Sequence, residues 1–209
     1  SYIGKWHVSP DFSPLDFGYD KNITHGEYHR MLRDIGQTPE FKEDWLGEEN
    51  PLPLELSETH WLADCAVREL ERLSEGSSPW HLSVDFNEPH RPCRPSQPFS
   101  RMYAPRDIPR WEGFDDDFRN KPYIQRQMPL NWRLGGMSWD DWSRTVALYY
   151  GIISQTDDAI GRILDRLDSL GAAENTLVIF TSDHGDMCGS HHMIDKHYVL
   201  YDDVVHVPL

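Results

Sequence analysis

The 209-residue sequence has few cysteines, no long apolar run and too few basic side chains to balance its acidic ones. Its three cysteines, Cys65, Cys93 and Cys188, form an odd set without a C-x-x-C pair, which argues against both a disulfide framework and a structural zinc site. Unpaired cysteines favour the cytoplasm slightly as the compartment. No apolar stretch approaches the roughly 20 residues of a membrane-spanning helix, so no span is expected.

The charge balance excludes two classes of partner. Acidic residues number 35 and basic ones 20, which gives a formal net charge of −15 at pH 7. A surface of this sign does not bind nucleic acid or an anionic membrane as its main partner. An anionic substrate would therefore need a local basic pocket. Aromatic residues make up 12% of the chain, a content typical of a folded domain rather than a disordered one.

Helical signals occur at three places in the chain. Thr24 with Glu27, and Ser138 with Asp141, have the spacing of capping boxes. Apolar residues at helical intervals predict helices over residues 24–35, 57–73 and 138–170, each followed by a glycine. Residues 37–53 are predicted to form a loop, and residues 91–136, which lack a clear period, a long excursion of the kind that frames a site.

The strand signals lie between these helices and predict an α/β fold. Residues 2–8 are predicted to contain a strand end, and residues 80–86 a strand. The run Thr176–Thr181 is apolar and β-branched throughout, which is typical of a strand buried on both faces of a parallel sheet. We therefore expect a mostly parallel central sheet flanked by helices.

The segment Asp183-His184-Gly185-Asp186 directly follows that predicted buried strand. Open α/β sheets bind ligands at the carboxyl ends of their strands. A carboxylate and an imidazole side by side can hold a divalent ion together, with Gly185 letting the turn bend sharply. The alternative is that Asp183 caps the following segment while His184 lies at the surface.

Further titratable residues follow within ten positions, namely Asp186, His191, His192, Asp195 and Lys196. Such a density of titratable groups is typical of a functional site. A lysine among carboxylates and a metal could hold an anionic oxygen. The alternative for Lys196 is a solvated surface side chain, as for most lysines.

Three motifs resemble those of the sulfatase family and occur in the family's order. Gly4-Lys5-Trp6-His7 resembles its second signature, and Phe86–Pro92 contains a P-H-x-P element. The segment from Asp183 to Lys196 is similar to its D-H-G-D-x-x-G-x-H-x-x-x-x-K pattern. Because the helix and strand before D-H-G also match, the resemblance covers almost the whole chain. It implies the alkaline phosphatase-like sulfatase fold.

The resemblance implies a metal-dependent sulfuric ester hydrolase that uses a formylglycine made from cysteine or serine. Asp183 and His184 would be ligands of a divalent cation, usually calcium, with manganese or magnesium as alternatives. Asp183 would also help to activate the nucleophile. His191 aligns with the histidine of this pattern. It would at most contact the residues that bind the metal, not the metal itself.

The same resemblance implies roles for the basic residues. Lys5 and Lys196 would neutralise the sulfate oxygens, and His90 would donate a hydrogen bond to the sulfate or to the leaving oxygen. His7 would act as the base that regenerates the aldehyde. His192, Asp195 and His197 are expected to be local scaffold, and no function is assigned to His206. The substrate would be a small-molecule or carbohydrate sulfate ester.

The family's nucleophile signature, C/S-x-P-x-R, is not found in the chain. Cys93-Arg94-Pro95-Ser96-Gln97 imitates it but has Gln97 in place of the arginine, and it follows the P-H-x-P element, so we reject Cys93 as the nucleophile. We expect residues 1–209 to be the central part of a catalytic domain whose N-terminal nucleophile segment and C-terminal part lie outside them. This segment alone is then expected to be inactive.

Two other functions and one further feature stay open at this point. A phosphonate monoester or phosphodiester hydrolase of the same superfamily would use the same Asp-His pair. A noncatalytic remnant would bind a cation or a partner without turnover.

Five aromatic residues could shape a carbohydrate subsite or equally pack in the core. They are Trp80, Trp111, Tyr123, Trp132 and Trp139.

Overall fold

The computed structural model describes residues 1–42 and 45–209 and contains a parallel sheet of three short strands. β1 (Tyr2–Gly4) lies in the middle, between β2 (Asn22–Thr24) and β3 (Ser83–Asp85). Both pairs are parallel. The prediction of an α/β fold with a parallel sheet is therefore confirmed, although the sequence pattern did not indicate β2.

The central strand is held by packing on one side and by a close backbone approach on the other. Ile3 is fully buried against Leu62 and Ala66. Gly4 has a φ of +111°, and a Cβ built on it would lie 2.0 Å from the carbonyl oxygen of Asp85. Only glycine permits this approach of β1 to the end of β3.

Five helices are present in the described residues. They are α1 (His25–Asp34), α2 (Glu58–Ser74), α3 (Tyr123–Asn131), α4 (Trp139–Ser169) and α5 (Asp202–Val205). Both predicted capping boxes are formed, by Thr24 with Glu27 and by Ser138 with Asp141.

Helix α3 lies within the stretch predicted as a long excursion. The predicted loop over 37–53 is irregular apart from short turns, and its residues 43 and 44 lie outside the described residues. No helix in the described part of the chain is long and apolar enough to cross a membrane.

Helices α2 and α4 pack together through apolar and polar contacts. The amide of Gln155 is buried and donates to the hydroxyl of Thr59 at 3.0 Å. His60 lies with Nε2 2.9 Å from a carboxylate oxygen of Asp158. These bonds fix the long helix α4 against α2, whose first turn faces the end of the sheet that carries the candidate site.

The run Thr176–Thr181 corrects one sequence prediction, because it does not form a buried strand. No sheet partner pairs with it among the residues that the structure describes. Leu177 is 85% exposed and Ile179 68%. A strand requires a neighbour that pairs with its backbone groups, and none of the three described strands pairs with this run. Asp183 and His184 therefore follow an exposed extended segment.

Candidate active site

The carboxyl ends of the three strands meet at one edge of the sheet, where parallel sheets place their ligands. Lys5 follows β1, His25 follows β2, and the loop with His90 follows β3. Lys5 and His90 were candidates from the sequence, whereas His25 was missed. A signal for it was available in His25 and His29, two histidines four residues apart on a predicted helix.

The backbone of Lys5 is fixed to the end of β3. Its N–H donates to the carbonyl of Asp85 at 2.9 Å, and its own carbonyl accepts from the hydroxyl of Tyr2 at 2.5 Å. The same hydroxyl contacts the carboxylate of Asp85. The base of the Lys5 side chain is therefore rigidly positioned, while the side chain itself is half-buried.

The imidazole of His90 lies close to two lysines. Its Nδ1 is 2.9 Å from the carbonyl oxygen of Arg91. A carbonyl only accepts, so Nδ1 carries the proton and Nε2 is the nitrogen available to a ligand. Burial lowers the pKa of His90, and the charges of Lys196 and Lys5 lower it further, against the raising effect of the Arg91 carbonyl. Both lysines therefore lie within electrostatic reach of the His90 ring.

A buried ion pair joins the loop of His90 to the loop of Lys196. The guanidinium of Arg91 lies 3.2 Å from Asp186, and their side chains are only 8% and 13% exposed. The same oxygen of Asp186 accepts the backbone N–H of Cys188 at 2.7 Å and of Asp195 at 3.2 Å. The carboxylate of Asp186 therefore holds the two ends of the 186–195 loop together and links this loop to the P-H-x-P element. Sequence reasoning placed Asp186 in the site but did not assign it this partner.

Lys196 is held by its neighbour Asp195. The ammonium lies 3.1 Å from a carboxylate oxygen of Asp195, which also accepts the backbone N–H of Lys196 at 2.9 Å. Burial raises the pKa of Asp195, but the hydrogen bond and charge of Lys196 outweigh it, so that the pKa is lowered. The scaffold role expected for Asp195 thus consists in orienting Lys196.

Asp183 and His184 lie side by side at the surface. Asp183 is 86% exposed and His184 32%. Nδ1 of His184 is 2.8 Å from the carbonyl of Gly185, so Nδ1 carries the proton and Nε2 is left with a lone pair. Asp183 accepts the backbone N–H of His184 at 3.0 Å, which is a local capping contact of the kind the alternative interpretation expected.

The glycine of this segment is required by a close contact rather than by a left-handed turn. A Cβ on Gly185 would lie 1.9 Å from the carbonyl oxygen of Asp203. The N–H of Gly185 donates to the carbonyl of Val204 at 2.8 Å. The turn after Asp183 is therefore fixed against helix α5.

The Asp183–His184 pair fits a divalent cation. Nε2 of His184 lies 3.4 Å from a carboxylate oxygen of Asp183. Two ligands about 2.3–2.6 Å from a calcium ion and at right angles lie about 3.3–3.7 Å apart. No group of three or more His, Cys, Asp or Glu side chains suited to a metal occurs within residues 1–42 and 45–209. The pair could supply two ligands of such a site and would need further ligands to complete it.

The remaining candidates lie in other surroundings. His7 is exposed beside Lys5. Cys93 is buried, and burial raises the pKa of its thiol to about 12, which keeps it protonated and poorly nucleophilic. His191 contacts Asp116 at 2.6 Å and stacks on Tyr201.

The aromatic residues proposed for a subsite divide between core and surface. Trp111 and Trp139 pack in apolar clusters. Trp132 stacks on Trp45 and is partly exposed. Tyr123 is exposed, and Trp80 lines a cavity with Ser1 at the opposite end of β1. Trp111 and Trp139 thus contribute to the core, as one of the two interpretations expected.

The Sulfatase family matches residues 1–209, the whole chain. The chain belongs to the sulfatase family. It is 34% identical, over 78% of its length, to an arylsulfatase of Clostridium perfringens, and 31% identical, over 77%, to the multifunctional alkaline phosphatase superfamily protein PehA of Trinickia caryophylli. The crystal structure of the phosphonate monoester hydrolase of Agrobacterium radiobacter matches 99% of the chain with a TM-score of 0.67 and 25% identity.

This sulfatase chain spans only part of the proteins that it matches. It covers 32% of the arylsulfatase, 36% of PehA and 48% of the phosphonate monoester hydrolase chain. The structural match establishes an alkaline phosphatase-like sulfatase fold for the part that is present.

Proposed function

We propose that residues 1–209 are the central part of a catalytic domain that hydrolyses sulfate monoesters. The observation that carries this proposal is the electrostatic convergence of Lys5 and Lys196 on His90 at the carboxyl edge of the sheet. In a chain with a net charge of −15, two lysines that act on the same histidine support an anion-binding site at this edge of the sheet.

The two lysines bind the sulfate group in this mechanism. Their ammonium groups neutralise the sulfate oxygens and stabilise the charge that develops as the ester bond breaks. Asp195 orients Lys196, and the backbone bonds to Tyr2 and Asp85 orient Lys5. His7, exposed beside Lys5, acts as the base in the later proton transfer.

His90 changes its role when the anion arrives. In the free protein its pKa is lowered and Nε2 carries a lone pair. A sulfate anion at Nε2 favours the imidazolium, because an adjacent negative charge raises the pKa of histidine. The protonated Nε2 then donates to a sulfate oxygen or to the leaving oxygen.

Asp183 and His184 would hold a divalent cation, for which we propose calcium, with manganese or magnesium as alternatives. When bound, such a cation would supply positive charge to stabilise the nucleophile and a sulfate oxygen. The nucleophile is a formylglycine contributed by a part of the polypeptide outside these residues. The 186–195 loop connects this pair to Lys196.

Assays of two proteins test the proposal. The full-length polypeptide should release the alcohol from an aryl sulfate, whereas residues 1–209 alone should not. Lys196→Met in the full-length protein should remove turnover, while Lys42→Met, at an exposed lysine, should not. Equal turnover by the 209-residue segment, or none by the full-length protein, would contradict the proposal. The second result would favour a noncatalytic module.

Phosphonate monoester or phosphodiester hydrolysis is a second candidate. It is supported by the likeness to the Agrobacterium hydrolase and to PehA and by the imidazole of His184, a donor that suits manganese or zinc better than calcium. Parallel rates on sulfate, phosphonate and phosphodiester esters, with elemental analysis of the purified protein, separate the two. A higher kcat/KM on the phosphonate together with bound manganese would favour the second candidate.

A further inference from the structure

Two histidines lie one turn apart at the start of α1, where β2 ends. His25 is the first residue of the helix and His29 the fifth, so their side chains share one face. Their Nε2 atoms are 2.7 Å apart, and both rings are accessible to solvent. At this separation one proton is shared between two nitrogens that are both able to bind a metal.

The carboxylate of Glu58, at the start of α2, orients the first of these rings. It contacts Nδ1 of His25 and is itself mostly buried. The hydrogen bond with Glu58 is the largest cause that raises the pKa of His25, against the opposing effect of burial. Since the carboxylate accepts the Nδ1 proton, Nε2 of His25 presents a lone pair. A carboxylate behind the far nitrogen is the usual support of a histidine that binds a metal.

The second ring is available in the neutral form. Burial lowers the pKa of His29, and the neighbouring His25 lowers it further. Its Nε2 proton now points to His25, but exchange with water can transfer that proton to Nδ1. Nε2 of His29 then carries a second lone pair that can bind the metal. The two neutral histidines lose no proton in this exchange.

The distance between the nitrogens suits one ion. Two imidazole nitrogens about 2.0–2.1 Å from a metal lie about 2.9 Å apart at the right angle of copper or nickel, and about 3.3 Å apart at the tetrahedral angle of zinc. Rotation of the two rings from the observed 2.7 Å reaches these values. We propose that His25 and His29 bind one divalent cation of the zinc, copper and nickel class through their Nε2 atoms, with Glu58 as the supporting carboxylate and water at the open positions.

The surroundings of this pair are acidic and adjoin the proposed sulfate site. Glu88 has a buried Oε2 for which the described residues provide no hydrogen-bond partner, and it interacts electrostatically with Glu58 and His25. Burial and the charge of Glu58 raise the pKa of Glu88, so Glu58 is the main carboxylate that offsets the charge of a bound cation. Lys5 also acts on His25, so a cation there would add positive charge beside the lysine. The proposed sulfatase reaction uses neither histidine, so this inference goes beyond it.

Zinc titration of the full-length protein tests the inference. The reference protein carries Asp183→Asn and His184→Gln, which weaken the other candidate cation site. Calorimetry should show one zinc ion per reference protein. Adding His25→Gln and His29→Gln should weaken that binding at least tenfold, and Glu58→Gln about tenfold. The matched control, His81→Gln with His206→Gln at two exposed histidines, should leave the affinity unchanged.

A spectroscopic measurement identifies the ligands directly. Copper(II) bound to the reference protein should show electron paramagnetic resonance splitting from two nitrogens, and each single histidine variant should show one fewer. Zinc should also protect His25 and His29 of the unmutated protein from acylation by diethyl pyrocarbonate. This measurement does not depend on how the variants fold. Unchanged zinc affinity in the His25/His29 variant, or no protection of these two histidines, would overturn the inference.

Discussion

Two regions of the molecule carry the candidate chemistry, and they differ in how they are held. The anion-binding region, which consists of Lys5, His90 and Lys196, is fixed by backbone bonds, by Asp195 and by the buried Arg91–Asp186 pair. The proposed cation-binding region, Asp183 and His184, follows an exposed apolar segment, and the side chains of these two residues have only local contacts.

The difference shows where long-range contacts are needed. The anion-binding residues come from distant parts of the chain, and bonds between loops bring them together. Asp183 and His184 are neighbours in sequence, so their spacing needs no tertiary contact. We therefore expect substitutions around the first region to affect both activity and stability, and substitutions of the Asp183 and His184 side chains to leave stability almost unchanged.

The largest effect is expected at the lysines of the anion-binding region. Lys5→Met or Lys196→Met should lower kcat/KM of the full-length protein on an aryl sulfate by about 10²–10⁴-fold, because each removes a cation from the developing charge. Steady-state kinetics measure this. Lys42→Met, at an exposed lysine, should stay within about twofold of the unmutated protein, and a similar loss there would mean that general surface charge, not the site, is responsible.

Next in size is the loss of the buried pair between the loops. Arg91→Met should lower the free energy of unfolding by about 3–5 kcal/mol, because it leaves Asp186 buried without its cation. Urea denaturation followed by circular dichroism measures it. The control Arg106→Met breaks an exposed ion pair with Asp107 and should cost less than about 0.5 kcal/mol. Equal costs for both variants would show that the Arg91 pair does not hold the region together.

A smaller effect is expected from pH. His90 has a lowered pKa in the free protein, and a bound sulfate raises it, so binding takes up a proton in the interval between the two values. The affinity for inorganic sulfate should then rise as the pH falls from 8 to 6, by at most about tenfold per unit for one proton. Calorimetry in buffers of different ionisation enthalpy reports the uptake. His90→Gln should remove it, and persistence of the uptake would assign it to another group.

The smallest effect is expected in the apolar segment before Asp183. Ile179→Ala should change the free energy of unfolding by less than about 0.5 kcal/mol, because the side chain is exposed. The matched substitution Ile3→Ala, in the buried centre of the sheet, should cost about 2–5 kcal/mol. A large cost at Ile179 in the same denaturation experiment would mean that the segment is packed in solution.

Local signals in the sequence predicted much of the fold. The capping boxes of α1 and α4 and the apolar periodicity of α2 indicate these helices without tertiary information, because the relevant bonds lie within four residues. Strand β2 was not predicted, since three residues of intermediate burial give no periodic pattern. Helix α3, with Pro129 inside it, was missed for the same lack of a clear signal.

The candidate site was predicted in its residues but not in its connections. The motifs indicated Lys5, His90 and Lys196, and in the structure both lysines act electrostatically on His90, while the roles of the three residues stay a prediction. The Arg91–Asp186 pair spans 95 positions, and no local pattern predicts which buried carboxylate meets a given arginine. The buried strand predicted over residues 176–181 was wrong for the opposite reason, since its local signal is strong but the neighbours that a strand needs are absent from the described residues.

The exposed run from Thr176 to Thr181 has a further consequence for handling the protein. Its six residues are β-branched or apolar, carry no charge and contain no proline. Such a segment, which is not paired with any described strand, is a template for cross-β pairing between molecules. Concentrated samples of residues 1–209 are therefore expected to self-associate through this segment, and a single lysine in place of Ile179 should act as a gatekeeper that keeps them dispersed.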